Sequence, residues 1–203
     1  MLKRGFIVEL PKWANNGIKF FFWITFIIHR FHYPSILLAT GFSAIIAYYY
    51  MDWIYILFVF SLIETLYLSI ALHETFHMTY AKMLEGTIES VTVIPYTLEI
   101  RTNFNSEKSL PIEDFCVILF VGPIFPLLFS LTISLITYFY ELSSCIYLYV
   151  VFFSIINILS LLPLKGNDGW EILNIIKKKP GILKLLPISI IYIFVKKFIE
   201  GEF

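Results

Sequence analysis

Long apolar segments restrict what this chain can fold into, and Glu64 is the one charged residue within them. Each segment is long enough to cross a hydrocarbon core of about 30 Å as an α-helix. Helices are favoured in lipid because they satisfy their own backbone N–H and C=O groups. The chain is 59% hydrophobic, whereas soluble domains contain about 45–50% apolar residues. The sequence therefore predicts an all-α polytopic membrane protein with about four to six transmembrane helices, forming one domain over residues 1–203, with apolar segments at 34–50, 53–72, 115–140 and 142–164.

Two other apolar stretches are weaker candidates for membrane spans. Residues 20–28 are too short to cross a bilayer alone, so we expect them to lie at the interface or to re-enter the membrane. The first span would then begin at Pro34. Residues 182–195 contain Lys184 and Pro187, which makes this stretch a weaker candidate for a further span.

Basic residues are unevenly distributed between the two sides of the predicted bundle. With the N-terminus in the cytoplasm, the inner segments are residues 1–33, 82–114 and 165–184. This distribution follows the positive-inside rule and predicts a multi-pass protein of the cell membrane. The formal net charge of zero gives no indication of a nucleic-acid partner. The inner segments hold 13 of the 15 basic residues, namely Lys3, Arg4, Lys12, Lys19, Arg30, Lys82, Arg101, Lys108, Lys165, Lys177, Lys178, Lys179 and Lys184.

The segment between the second and third apolar runs has a different pattern. Residues 88–101 are rich in β-branched side chains and partly alternate between apolar and polar positions. Pro95 interrupts them, which suggests an edge strand or a hairpin turn. The sequence predicts a small membrane-associated β-hairpin insertion over about residues 86–114.

A candidate metal site lies at the end of the second apolar run, in the HExxH sequence that begins at His73. On a helix this spacing places His73 and His77 one turn apart on one face, with Glu74 beside them. Two imidazole ligands and a general base suit zinc hydrolysis. Ionisable residues at membrane depth are costly, so they indicate a functional site by default.

A catalytic zinc requires a third protein ligand, for which Asp168 is the candidate. It follows the last apolar run, after Pro163, which should end the helix because proline lacks an N–H. Gly166 and Gly169 allow the backbone to turn closely on either side. Asp168 also suits a turn or a helix N-cap, so its position alone leaves its role open.

These motifs together resemble the site-2 protease family of intramembrane zinc metalloproteases. The match consists of HETFHMTYAKMLEG at 73–86, the Gly122-Pro123 step and the PxxxxDG segment at 163–169. It covers roughly residues 53–172, which we interpret as the catalytic core.

The resemblance implies Zn²⁺ as the cofactor, with His73, His77 and Asp168 as its ligands. It also implies that Glu74 is the catalytic general base for zinc-activated water. The implied reaction is hydrolysis of a peptide bond in a membrane protein or membrane-associated peptide. The predicted topology directs the active site toward the cytoplasmic side.

The chain departs from the family pattern at two positions. Phe76 stands where the family usually has glycine, and Ser160 stands where it usually has asparagine. Asn157 lies one turn before Ser160, on roughly the same helix face. Either polar side chain could orient substrate or bond to a metal ligand, and we predict both as candidate substrate-binding residues.

Two other functions are compatible with these features. One is a membrane metalloprotease that cuts loops or peptides near the surface, and the other is a membrane zinc-binding or transport protein without protease activity. A transporter should carry acidic or His residues on several spans along one path. Glu64 faces away from His73 and is predicted to bond to a neighbouring helix, while His29 and His32 are predicted to anchor at the lipid headgroups.

Overall fold

The computed structural model describes residues 6–50, 54–86, 88–94, 99–104, 111–182 and 184. Within these residues the chain is mostly helical, with five helices and a small antiparallel sheet of three strands. This confirms the predicted helical architecture with a β insertion. The elements are β1 (Phe6–Glu9), α1 (Gly17–Tyr50), α2 (Ile54–Met83), β2 (Ile88–Ile94), β3 (Glu99–Phe104), α3 (Ile112–Phe139), α4 (Cys145–Leu161) and α5 (Asp168–Lys178).

Helices α1, α2 and α3 are long and apolar enough to cross a membrane. They contain 34, 30 and 28 residues, which corresponds to about 51, 45 and 42 Å at 1.5 Å per residue. Helix α4 is also apolar but has 17 residues, or about 25 Å. Of the weaker span at 182–195, nearly all residues lie outside the described part of the chain.

Helix α1 corrects the expectation that residues 20–28 are separate from the span beginning at Pro34. The two stretches form one continuous helix with Pro34 inside it. Proline is compatible with helical φ, and its cost is the backbone hydrogen bond that its missing N–H cannot make. The buried face that begins at Phe20 continues past Pro34 to Ala47, and its packing favours a single helix.

Polar contacts join α1 to α2 where the sequence predicted headgroup anchors. His29 Nε2 lies 2.8 Å from Glu64 Oε2, which confirms that Glu64 bonds to a neighbouring helix. His32 is 2% exposed, and its ring lies 5.7 Å from that of Tyr67. The expectation that His32 anchors at the surface was therefore wrong, because its ring is buried against α2. The His29 side chain is 36% exposed beside Glu64, and its anchoring role stays a prediction.

The sheet has the order β1-β2-β3, and both pairings are antiparallel. The hairpin predicted within residues 86–114 is β2 and β3, and its turn at Pro95 falls outside the described residues. Strand β1 was missed because its four residues give too short a pattern to recognise. It pairs with β2 from Phe6 opposite Val93 to Glu9 opposite Ser90.

Two apolar clusters hold the helices and the sheet together. The larger one joins α1, α2, α3 and β2, and it includes Phe20, Met78 and Val91, all 0% exposed. The smaller one packs the amphipathic helix α5 against α3 through Ile172 and Ile175. This packing holds α5 so that its first residue, Asp168, reaches the C-terminal half of α2, where the HExxH residues lie.

Candidate metal centre

The HExxH residues lie on the buried face of α2. His73, Glu74 and His77 are 6%, 5% and 5% exposed. Their potential ligand atoms all lie within 4.8 Å of one another. Burying three ionisable side chains so close together is costly unless each has a partner of suitable charge or hydrogen-bonding character. This cost makes the cluster a candidate site.

Asp168 reaches the same cluster from the segment that follows α4. The chain turns through Gly166, whose φ of 103° lies in the left-handed region that glycine readily adopts. A Cβ on Gly169 would lie 2.1 Å from the carbonyl oxygen of Leu161, so glycine is required for this close approach. Asn167 is the N-cap of α5 and Asp168 its first residue, with its carboxylate directed at the two imidazoles.

Three atoms converge on one point, namely His73 Nε2, His77 Nε2 and Asp168 Oδ2. The two nitrogens are 2.9 Å apart, and Asp168 Oδ2 lies 3.0 Å from His73 Nε2 and 3.5 Å from His77 Nε2. Ligands of a tetrahedral zinc, each bonded at about 2.0–2.1 Å, stand about 3.3 Å from one another. The spacing of these atoms therefore fits a zinc ion.

The hydrogen bonds of the Nδ1 atoms fix which tautomers the two imidazoles adopt. His77 Nδ1 lies 2.8 Å from the carbonyl oxygen of Ile118, which can only accept a hydrogen bond. His73 Nδ1 lies 3.0 Å from Asn157 Oδ1, also an acceptor. Both Nδ1 atoms are therefore protonated, and both Nε2 atoms face Asp168 Oδ2, so three lone pairs would converge there if neither Nε2 carried a proton. Three converging lone pairs repel one another unless a cation or a proton lies between them.

Asp168 supplies the negative charge of the cluster. Burial alone would raise the pKa of its carboxyl, but the facing imidazoles of His77 and His73 outweigh burial and hold that pKa below its usual range. The side chain is therefore a carboxylate at neutral pH. A carboxylate and two imidazoles form a ligand set that suits zinc.

Asn157 is fully buried and connects the imidazole of His73 to the backbone of α4. Its Nδ2 donates to Ser69 Oγ at 2.7 Å and to the Phe153 carbonyl at 3.1 Å. These two bonds leave Oδ1 to accept from His73. Metal-binding histidines usually have such a partner, which orients the ring. Ser69 was not anticipated from the sequence, because its only signal is a position one turn before His73.

Ser160 and Asn157 were both predicted as substrate-binding residues. The Ser160 hydroxyl donates to the Asn157 carbonyl of its own helix at 2.9 Å. The contacts of Asn157 give it a positioning role toward His73. Substrate binding by either residue stays a prediction, which these contacts do not support.

Gly122 makes room for His77 in the surface of α3. A Cβ at this position would lie 2.2 Å from Cε1 and 2.3 Å from Nε2 of the His77 ring. No side chain can therefore replace the glycine without moving the ring. The adjacent Phe76, where the resemblance predicts glycine, stacks on Phe125 with ring centroids 4.9 Å apart.

Glu74 has a partner that the sequence argument missed. The Thr102 hydroxyl, on β3, donates to Glu74 Oε2 at 2.5 Å. No sequence spacing relates a threonine on a strand to a helix residue 28 positions earlier. The contact depends on how the sheet folds against α2.

Comparisons with known proteins add no family assignment. No family model matches the chain, and neither a curated protein nor a solved structure matches it. The resemblance to site-2 proteases therefore rests on the sequence motifs and stays a prediction.

Removing a ligand from either helix should remove the metal. We expect elemental analysis of the detergent-purified protein to give about one zinc per chain, and His73→Ala and Asp168→Ala each to lose it. Glu171→Gln alters an exposed acid in the first turn of α5 and should retain zinc. Zinc retained in Asp168→Ala would mean that the third ligand lies elsewhere.

Gly122→Ala should weaken zinc binding by displacing the His77 ring. We expect zinc affinity, measured by competition with a chelator, to fall at least about tenfold. Gly41→Ala is the matched control, because a Cβ there meets no atom within 4 Å. Equal affinities in the two variants would contradict the packing argument.

Asn157→Leu should release the orientation of the His73 ring. Loss of such a partner typically costs about 10- to 100-fold in metal affinity, and the same competition assay measures it. Ser160→Ala should leave zinc affinity unchanged, since that hydroxyl bonds to its own helix. If Ser160→Ala caused the larger loss, the positioning role would belong to Ser160.

Proposed function

We propose that the protein is an intramembrane zinc endopeptidase of the site-2 protease type. The convergence of His73 Nε2, His77 Nε2 and Asp168 Oδ2 beside Glu74 carries this proposal. Three protein ligands with a neighbouring general base are typical of catalytic zinc sites, whereas structural sites use four ligands. The ligands come from α2 and α5, so the site depends on the folded chain.

Exposed aromatic residues support insertion of the helices into a bilayer. Such residues gather at the ends of membrane helices, at the level of the headgroups. The set lies where α1 and α3 end and α2 begins, and it comprises Tyr48, Tyr49, Tyr50, Tyr55, Tyr138, Phe139 and Tyr140.

The position of His73 along α2 indicates the depth of the site. It lies about 28 Å from Ile54 along the helix axis, and the hydrocarbon core is about 30 Å thick. With the aromatic end outside and the basic segments inside, the site would lie near the cytoplasmic boundary. We infer that the substrate is a membrane protein or membrane-associated peptide cut close to that boundary.

The side chains of the site have separate tasks in peptide hydrolysis. A zinc ion held by the three ligands would act as a Lewis acid on the scissile carbonyl and would lower the pKa of water. Glu74 accepts a proton from the attacking water as the C–O bond forms, and donates it to the amine as the C–N bond breaks. The Nδ1 bonds of His73 and His77 keep both rings oriented during these steps.

Strand β3 offers a surface for an extended substrate. A helical substrate has its carbonyls in internal hydrogen bonds, so it must unwind before hydrolysis. In the described part of the chain β3 pairs with β2 on one side, and it contacts Glu74 through Thr102. A substrate strand added to the other side would place its carbonyls near the base.

A zinc transporter is less well supported. Transport requires polar groups along a path through the helices. The His29–Glu64 pair lies about 13 Å along α2 from His73 and on the opposite face of that helix. The two sets of residues therefore do not form one path.

Glu74→Gln should separate hydrolysis from metal binding. We expect cleavage of a reconstituted panel of single-span peptides, detected by mass spectrometry, to fall about 10²- to 10⁴-fold while zinc content stays at the wild-type level. Glu64→Gln changes an acid on the opposite face of the same helix and serves as the control. Full cleavage by Glu74→Gln would exclude Glu74 as the base, and zinc uptake into vesicles without cleavage would favour transport.

A further inference from the structure

We propose that Thr102 is a positioning residue for the general base. Its hydroxyl holds Glu74 Oε2 and thereby leaves Oε1 as the oxygen that accepts the proton from water. This inference rests on the proposed peptidase function. It adds a residue outside the HExxH and PxxxxDG motifs to the machinery of the site.

The geometry of the contact supports a fixed orientation of the carboxylate. The donor–acceptor distance from Thr102 Oγ1 to Glu74 Oε2 is 2.5 Å, which lies within the range of hydroxyl hydrogen bonds. Glu74 is 5% exposed, so water does not offer a comparable set of competing donors. A carboxylate held through one oxygen keeps its plane fixed, which directs its other oxygen.

Thr102 is itself restrained by the sheet. β-Branched side chains have few χ1 rotamers, and Val91 of β2 lies opposite Thr102 in the register. The neighbouring Asn103 donates through Nδ2 to Ser90 Oγ at 3.0 Å and to Thr92 Oγ1 at 2.8 Å. The backbone pairing from Ile88 opposite Phe104 to Ile94 opposite Glu99 holds β3 against β2 without the Thr92 bond, so the hydroxyl reaches α2 from a rigid element. General bases held by such elements keep their productive orientation.

Three threonine variants distinguish positioning from general support of the fold. Thr102→Val removes the hydroxyl at nearly constant shape, and Thr102→Ser restores it. Thr92→Val removes a hydroxyl that bonds within the same sheet but does not contact Glu74. Each variant is purified with zinc, and its kcat, KM and zinc content are measured with a peptide that the wild-type protein cleaves.

A second measurement does not depend on catalysis. Infrared difference spectra between each protein and its Glu74→Gln counterpart isolate the carboxylate bands of Glu74. The frequency of these bands depends on the hydrogen bonds that the carboxylate accepts. The spectra thus report the Thr102 contact even in a preparation that cleaves no peptide.

For Thr102→Val we expect kcat to fall about tenfold or more, with KM and zinc content unchanged and the Glu74 bands shifted. Thr102→Ser should recover most of the kcat and the wild-type bands, and Thr92→Val should resemble the wild type. The inference is overturned if Thr102→Val keeps its kcat, or if it and Thr92→Val lose zinc and activity alike. It is also overturned if the Glu74 bands do not move.

Failure of the peptidase function itself would look different. In that case the wild-type protein and Glu74→Gln would be equally inactive on every peptide. Shifted Glu74 bands in Thr102→Val would then show only that the hydrogen bond exists. Because Glu74 would not act as a base, Thr102 would have no base to position, and this outcome also overturns the inference.

Discussion

The convergence of three polar side chains on one point is the constraint on which this structure depends. His73, His77 and Asp168 direct their Nε2 and Oδ2 atoms at that point from two helices that are distant in sequence, and a proton or a cation between these atoms removes their repulsion. Several local features are explained by the convergence of these three side chains. Gly122 leaves space for the His77 ring, and Asn157 accepts a hydrogen bond from the His73 ring. Gly169 allows α5 to approach the end of α4 closely.

The surfaces of the apolar helices favour lipid, whereas the polar site favours water. The fold separates the two along the helix axes. The aromatic ends of α1, α2 and α3 lie at one end of the bundle, and the ligands lie toward the other. Irregular backbone is tolerated at membrane depth where protein or a water-filled cavity surrounds it. Residues 162–166 of the turn before Asp168 are exposed, so this irregular backbone is compatible with the water-facing boundary of a bilayer and not with its apolar core.

Motifs of fixed spacing were the most predictable part of the molecule. HExxH indicated three of the clustered side chains, because helix geometry alone places His73 and His77 on one face. The Pro163–Gly169 segment indicated Asp168 through its turn residues. Thr102 and Ser69 were missed since their contacts depend on tertiary packing. The continuity of α1 through Pro34 was missed for a related reason, because the burial of one helix face from Phe20 to Ala47 depends on packing against other elements.

Under the proposed insertion into a bilayer, the shortness of α4 has a consequence for the surrounding lipid. At about 25 Å it falls short of a hydrocarbon core of about 30 Å, whereas α1 exceeds it. A bilayer meets such a mismatch by thinning locally beside the shorter helix. The headgroup region would therefore approach the turn that carries Asp168. On this side of the protein, water would reach a peptide bond that elsewhere lies beneath the acyl chains.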